Sequence, residues 1–400
     1  MNQVTIIGNG FDIACGLKST YADYFAHMMN GIEPGTYPDG WWKHDEPEAF
    51  PIVAEHVKAK DPKIFSAWVP IFAWLHDYPQ SRSVDKLTWC DVESAIRDFV
   101  TGLHSMDTVT MIDCYDRDIS VGSQVSQAYE CLCQYFDYAD CRPYDDASKA
   151  WTIGWDAQGH VNLPYHDFAR LFLRELERFE KNFREYIGSL VTDEYLGTAE
   201  SLYTAIDNAN TSADEIANRH LVLNFNFTDP LARVLYKTEC GNVHGTCKDG
   251  TAFFGFAPKN DDPAWSDAYM FAKHVRYLEV MDGYKAGCSE FWKTLNNLDH
   301  IDVIKVFGCS LEGGKDNADY PYFRHIFRKA HLEDGGTYLG FYYTEGASRE
   351  RLLANAVKLL NGYGEDVEAS GGQPIQEGLA RRLEICGQLG IGDLTDKVSR

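Results

Sequence analysis

The sequence contains no apolar run near the roughly 20 residues needed to cross a bilayer. It also has no Cys-x-x-Cys pair among its 11 cysteines, the closest two being Cys131 and Cys133. A four-cysteine zinc ribbon needs two close pairs, so that metal class is excluded. An odd number of scattered cysteines suits reduced thiols in a cytosolic compartment. Positive charge is scarce: 37 Lys and Arg against 60 Asp and Glu leave a net charge of −23. A surface that negative repels phosphate backbones and anionic lipid, which argues against bulk nucleic-acid binding and membrane attachment. Residues 1–10 have no basic stretch ahead of an apolar core, so no secretory signal is expected. Internal repeats and low-complexity tracts are missing too. Together these absences predict a cytoplasmic protein that needs no metal.

What remains is ordinary globular chain, 400 residues with 44% hydrophobic and 24% charged. That length can bury a core without disulfides. Residues 3–8 read as a buried strand, and a glycine-rich turn and a helix follow. Ser19 or Thr20 caps the next helix, with Asp23 completing a T-x-x-D pattern. Residues 31–50, with Pro34, Pro38, Trp41 and Trp42, read as irregular. From about 62 to 215 the pattern is mainly helical. Trp89–Leu103 and Asp167–Leu190 carry apolar stripes at helical spacing. Residues 105–165 are harder to read, with Trp151–Trp155 a hairpin or a loop.

Strand signals return at His220–Phe225, Phe253–Phe256, Asp302–Phe307 and Thr337–Tyr343. Strands alternating with helices predict an α/β fold with a Rossmann-like parallel sheet. The expected organisation is a nucleotide-binding core of residues 1–30 plus 216–345. A mainly helical insertion fills 31–215, and a helical extension fills 346–400. Within that extension, Gly362–Gln376 reads as a surface loop before a helix at Glu377–Leu389.

Gly8-Asn9-Gly10-Phe11-Asp12 and Gly16 follow the first strand. Glycines there let backbone approach a phosphate at a helix start. The standard dinucleotide fingerprint would need another glycine where Ile13 stands, so a plain tight turn is the competing reading. Asn224-Phe225-Asn226-Phe227-Thr228-Asp229 ends the His220 strand. Ligands of parallel sheets bind outside the carboxyl ends of strands. Thr228 or Asp229 ahead of Pro230 also makes a good helix start. That reading leaves Asn226 unexplained. Asn242-Val243-His244-Gly245 offers a side chain able to take a proton near neutrality, against the commoner structural histidine. Gly308-Cys309-Ser310 closes the Asp302 strand, with Asp316, Asp319, Tyr320 and Phe323 after it. Nothing marks a base beside Cys309, so it is not read as a nucleophile. Asp91 and Glu93 suit a helix N-terminus.

Taken in order, these blocks resemble AbiH-type phage abortive-infection proteins. They are I-I-G-N-G-F-D-I-A-C-G-L-K-S-T-Y-A-D-Y-F, W-C-D-V-E, L-N-F-N-F-T-D, V-H-G with F-F-G-F, F-G-C-S-L and D-Y-P-Y-F. That family is in turn distantly similar to sirtuin-like NAD-binding domains. The resemblance implies that Gly8, Gly10 and Gly16 match the sirtuin glycine loop. It implies that Asn226 and His244 match the catalytic Asn and His, and that Gly308 and Ser310 match a nucleotide-contacting G-x-S turn. Thr228, followed by Asp229, stands where sirtuins carry Asp. Cys309 stands where the family often has His, and the zinc ribbon is absent.

The implied activity is NAD⁺ glycohydrolysis, with NAD as substrate or ligand. Asn226 would orient ribose and water, and His244 would act as base. Gly8, Asn9, Gly10, Phe11, Asp12, Thr228, Asp229, Gly308, Ser310 and Asp319 would contact the nucleotide. In this scheme the pyrophosphate rests on backbone N–H groups of the Gly8–Gly10 loop. Glu93 and Asp319 lie in matching blocks without a derivable role. The competing function is a nucleotide sensor or interaction module that does not turn NAD over. A nucleic-acid toxin is disfavoured by the charge. Regulation and homo-oligomer formation would fall to the helical insertion.

Overall fold

The computed structural model describes residues 1–32, 49–77, 108–110, 162–209, 219–234, 238–256, 288–317, 319–344, 348–372 and 378–395, with shorter pieces inside 92–100, 131–136 and 269–276. The chain divides into two compact units. One comprises Met1–Ser19, Arg184–Ala252 and Tyr277–Arg400, and the other comprises Thr20–Phe183 and Phe253–Arg276.

Among the described residues the first unit holds six strands: β1 (Asn2–Ile7), β2 (Arg219–Asn224), β3 (Thr238–Asn242), β4 (Val303–Phe307), β5 (Tyr338–Tyr343) and β6 (Leu389–Asp393). All pairings are parallel, in the order β3-β2-β1-β4-β5-β6. This is a doubly wound α/β sheet, and its strand order reverses between β1 and β4. Ile7 pairs with Asn224 on one side and Phe307 on the other, so three strands end level at that reversal.

Helices among the described residues include α1 (Asn9–Ala14), α2 (Tyr21–Ile32), α3 (Ala49–Lys58), α4 (Trp68–Asp77), α5 (Tyr165–Leu190), α6 (Asp193–Asn208), α7 (Cys288–Asn297), α8 (Tyr320–Lys329), α9 (Arg349–Ala369) and α10 (Leu379–Ile385). Alternation along the strands builds two cores. Val4, Ile6, Leu223, Val306 and Phe341 face α7 to α10. Ile7, Val222, Phe307 and Tyr342 face α1 and α6. The second face carries a polar row. Buried Lys305 donates from Nζ to the carbonyls of Ile206 and Asp207 at 3.1 and 2.5 Å, closing the open end of α6.

In the second unit, Trp68 packs among Phe72, Phe99, Phe172 and Phe271. Two buried ion pairs support it, Glu93 with Lys273 at 2.9 Å and Glu180 with Arg276 at 2.6 Å. Thr108–Thr110 pairs antiparallel with Asn162–Pro164. The Thr20–Asp23 box forms as expected, each side chain accepting the other's backbone N–H at 3.1 Å. Among the described residues no helix is long and apolar enough to cross a membrane.

Several sequence expectations need correction. Phe253–Phe256 is loop with a single bridge from Phe256 to Ala272, its rings being used for packing rather than strand pairing. Gly362 does not open a loop. It lies inside α9, where Lys315 lies so close that a Cβ would meet its Cγ at 2.4 Å. Thr228 and Asp229 start no helix among the described residues; turns occupy 230–234. The Glu377–Leu389 helix is shorter, ending before Gly387 turns with φ +68° into β6. Trp41, Trp42, Asp91 and Trp151–Trp155 lie outside the described residues.

The loops after β1 and β4 meet backbone against backbone. Gly8 N–H donates to Phe307 O and Gly10 N–H to Gly308 O, at 2.9 and 2.8 Å. A Cβ on Gly10 would lie 2.7 Å from Gly308 Cα, and one on Gly308 would lie 2.4 Å from Phe11 N. Gly308 also has φ +73°. Gly16 has φ +83° with nothing within 4 Å of its missing Cβ. Gly16→Ala should therefore cost only left-handed strain, about 1–2 kcal/mol. Gly308→Ala should cost clearly more, because backbone must move. Urea unfolding of both variants checks this, and equal losses would show that the loop contact is not tight.

Candidate functional site

Site residues come from the carboxyl ends of β1, β2, β3 and β4, beside the reversal of strand order. In open parallel sheets that is where ligands bind. The turn after β2 is held by an asparagine relay. Asn224 donates from Nδ2 to Thr228 O at 2.9 Å and to Asn242 Oδ1 at 2.8 Å. Its Oδ1 accepts from the backbone N–H and the side-chain Nδ2 of Asn226, at 3.0 and 2.8 Å. Thr228 O can only accept and Asn226 N–H can only donate, so the Asn224 amide has one orientation. It follows that Asn226 turns its Nδ2 inward. Its Oδ1 is buried, with no hydrogen-bond partner among the described residues. An unsatisfied buried acceptor costs about 1–3 kcal/mol, so in a native fold it calls for an explanation.

His244 follows β3 on a loop whose Gly245, at φ +69°, lies against Thr251. The imidazole is buried between Phe225 and Phe227, with ring centroids 5.7 and 5.6 Å away. Its Nε2 lies 3.4 Å from Asp319 Oδ1. Asp319 occupies the N-cap position of α8 without making the capping bond, and its carboxylate faces the histidine. The sequence had placed Asp319 in a nucleotide-contacting block without a role. The structure puts it beside His244.

Asp12 is buried on α1. Its Oδ1 accepts from Tyr195 OH at 2.6 Å and Thr228 Oγ1 at 3.0 Å, and its Oδ2 accepts from Thr228 Oγ1 at 2.8 Å. Tyr195 OH and Thr228 Oγ1 also touch at 3.0 Å. Among the described residues Asp12 has no ion pair. Burial pushes its carboxyl up to about 7, against the pull of the two hydroxyls. Burial, with Asp12 adding, pushes the Cys15 thiol up to about 12.

Other expected contacts fall elsewhere. Phe11 is core, edge-on to Phe307 at 5.9 Å. Asn9 ties the loop, accepting from Ser19 Oγ at 2.8 Å. Asp229 faces Lys248 at 3.6 Å. Ser310 is exposed and its carbonyl accepts from Asn355 at 2.9 Å. Cys309 lies against the Gly8 backbone. Glu93 belongs to the other unit, in its ion pair with Lys273. The Gly8 and Gly10 N–H groups are committed to Phe307 and Gly308, so they do not form the expected phosphate cradle. The sequence reading gave no role to Asn224, Asn242 or Tyr195. The first two lay in quoted motifs, whereas Tyr195 looked like any aromatic on an apolar helix stripe.

A model of the family "Bacteriophage abortive infection AbiH" matches residues 4–337. The chain belongs to the AbiH family. Membership gives it a role in bacteriophage abortive infection. No curated protein and no solved structure matches the chain. The AbiH match runs from β1 to the residue before β5, so it contains every candidate site residue from Gly8 to Asp319.

Within the AbiH site, Asp12 makes a pH-dependent contribution to stability. Its folded value, about 7, is above the ordinary 3.8. Between those values the unfolded chain releases a proton that the folded chain keeps, so stability falls as pH rises from 4 to 7. Asp12→Asn escapes this loss. Relative to wild type it should gain up to about 4 kcal/mol over that range and keep the gain above it. Urea unfolding at pH 5 and pH 8 measures the difference. A gap that does not change with pH would show that Asp12 titrates normally.

Proposed function

We propose that this AbiH protein acts in abortive infection by hydrolysing the nicotinamide–ribose bond of NAD⁺. The observation that carries the reading is the buried, unpartnered Oδ1 of Asn226, on the same turn that cradles His244. An acceptor held open in this way suits a hydroxyl donor such as ribose or water. The ordered resemblance of Asn226 and His244 to the catalytic pair of sirtuin-like domains supports the same substrate.

The bond to be broken joins the anomeric carbon to a cationic pyridinium nitrogen. As it breaks, the bonding electrons move to that nitrogen, and nicotinamide leaves as a neutral base. Positive character builds on the ribose, as in glycoside hydrolysis. Water adds to the anomeric carbon, and its proton passes to His244. Asp319 beside Nε2 stabilises the imidazolium that results. Asn226 orients the ribose and the water through its amide, whose direction Asn224 sets. The products are nicotinamide, ADP-ribose and one proton.

Purified protein incubated with NAD⁺ and followed by chromatography tests this directly. Release of nicotinamide should fall on the order of 10²-fold or more in His244→Ala, and comparably in Asn226→Ala. Undiminished turnover in a folded His244→Ala protein would remove the histidine from the mechanism. NAD⁺ bound but returned intact would favour the sensor reading.

A further inference from the structure

The turn bearing Asn226 is tied at two points. Asn224 holds its first half through the relay already described. Its far end is Thr228, and the Thr228 side chain belongs to a triangle with Asp12 and Tyr195. The three members come from separate elements: the β2 turn, α1 and α6. The contacts are 2.6 Å for Tyr195 to Asp12, 2.8 Å for Thr228 to Asp12 and 3.0 Å for Tyr195 to Thr228.

Counting protons shows how the triangle works. With Asp12 ionised, two hydroxyl protons serve three contacts, and both are drawn to the carboxylate. The Tyr195–Thr228 contact then has no proton of its own. With Asp12 protonated, three protons serve three contacts and can run one way around the ring. Asp12 donates to Thr228, Thr228 to Tyr195, and Tyr195 to the second carboxyl oxygen. Buried polar groups are most stable when each contact carries a proton. We propose that Asp12 is the positioning residue for Asn226: its proton closes a three-membered hydroxyl–carboxyl ring that latches the 225–228 turn, and losing the proton loosens the turn. The functional weight of the latch rests on the reading of Asn226 given above.

The groups facing Asp12 leave it as the one to titrate near neutrality. Cys15, on the turn following α1, is pushed up to about 12. Cys247, beyond β3, is also pushed up to about 12 by burial, with Arg184 at the end of α5 pulling it down. Burial and Asp12 push the Tyr195 hydroxyl up as well. Burial raises the Asp12 carboxyl against the pull of the two hydroxyls, which brings its titration into the range where the ring can open and close.

An Asn at position 12 would imitate the protonated acid, with Nδ2 donating to Thr228 and Oδ1 accepting from Tyr195. Hydrogen exchange of the 225–228 amides, corrected for intrinsic rate, should show wild type opening on the order of 10-fold more at pH 8.5 than at pH 5.5. Asp12→Asn should stay closed at both values. Thr228→Val should be open at both, and Thr228→Ser should follow wild type. Amides of β4 in the same samples report any global unfolding. If Asp12→Asn opens like Thr228→Val, or if wild type shows no change with pH, the latch is wrong. NAD⁺ cleavage by the same four proteins, at both pH values, separates the two ideas. Turnover that follows the closed state supports both. A pH-dependent turn in a protein that neither binds nor cleaves NAD⁺ keeps the latch and removes the NAD⁺ reading. Turnover that ignores the state of the turn overturns Asp12 as a positioning residue.

Discussion

Where the strand order reverses, the loops after β1 and β4 approach until backbone touches backbone. Three glycines make this contact, and each is there because a side chain would strike the opposite chain. Gly8 and Gly10 hand their N–H groups to Phe307 and Gly308, so the first turn of α1 is fixed relative to β4. Once α1 is fixed, Asp12 must enter the interior, because Phe11 beside it is already committed to the core against Phe307. A carboxyl forced inside without a cation needs hydroxyl donors. Thr228 and Tyr195 supply them, and in doing so they join the β2 turn and α6 to the glycine loops. The geometry around Asn226 therefore descends from a steric requirement two strands away.

The site divides its labour between an apolar cradle and a polar relay. Phe225 and Phe227 confine the His244 ring, while Asn224 and Asn242 set the Asn226 amide. Burial of the imidazole between the rings reduces screening of its contact with the partly exposed Asp319 carboxylate. The relay works by satisfaction: every donor and acceptor of Asn224 has a partner, so its orientation has no alternative. All the tension in the cluster is then concentrated in one atom, Asn226 Oδ1. Asn226 Oδ1 thus stands out in the cluster as a buried acceptor with no hydrogen-bond partner among the described residues.

Much of this was legible in the residues, though unevenly. Largely apolar runs announced β1, β2, β4 and β5, because strands covered on both faces bury most of their side chains, even though β1 and β4 also bury Gln3, Thr5 and Lys305. The edge strands were hidden. Thr238–Asn242 and Leu389–Asp393 are short and carry glycine or polar residues, so neither alternation nor hydrophobicity marks them. In β6 the reason is local: Gly390 and Gly392 leave room for the rings of Tyr338 and Tyr342. Asn226 could be picked out because a helix cap explained it poorly, whereas His244 read more readily as structural and was singled out by the resemblance. The partnership of His244 with Asp319 could not be picked out, since the long β3-to-β4 crossover separates them. Tyr195 gave no signal, as its ring packs like any core aromatic and only its hydroxyl matters. Phe11 and the Gly8–Gly10 N–H groups were over-read, because motif spacing does not reveal which groups the fold has already used.

That last point bears on what the site can recognise. With Gly8, Gly10 and Phe11 N–H groups committed inside the protein, the glycine loop is a hinge pin rather than a phosphate cradle. The cluster of Asn224, Asn226, His244, Asp319, Asp12 and Thr228 offers neutral hydrogen-bonding groups of fixed direction and one histidine–carboxylate pair. Such contacts are weakly affected by salt and strongly affected by shape. On the NAD⁺ reading proposed above, they would serve discrimination at the ribose and its leaving base, where the difference between bound and cleaved lies in the direction of a few hydrogen bonds rather than in total charge.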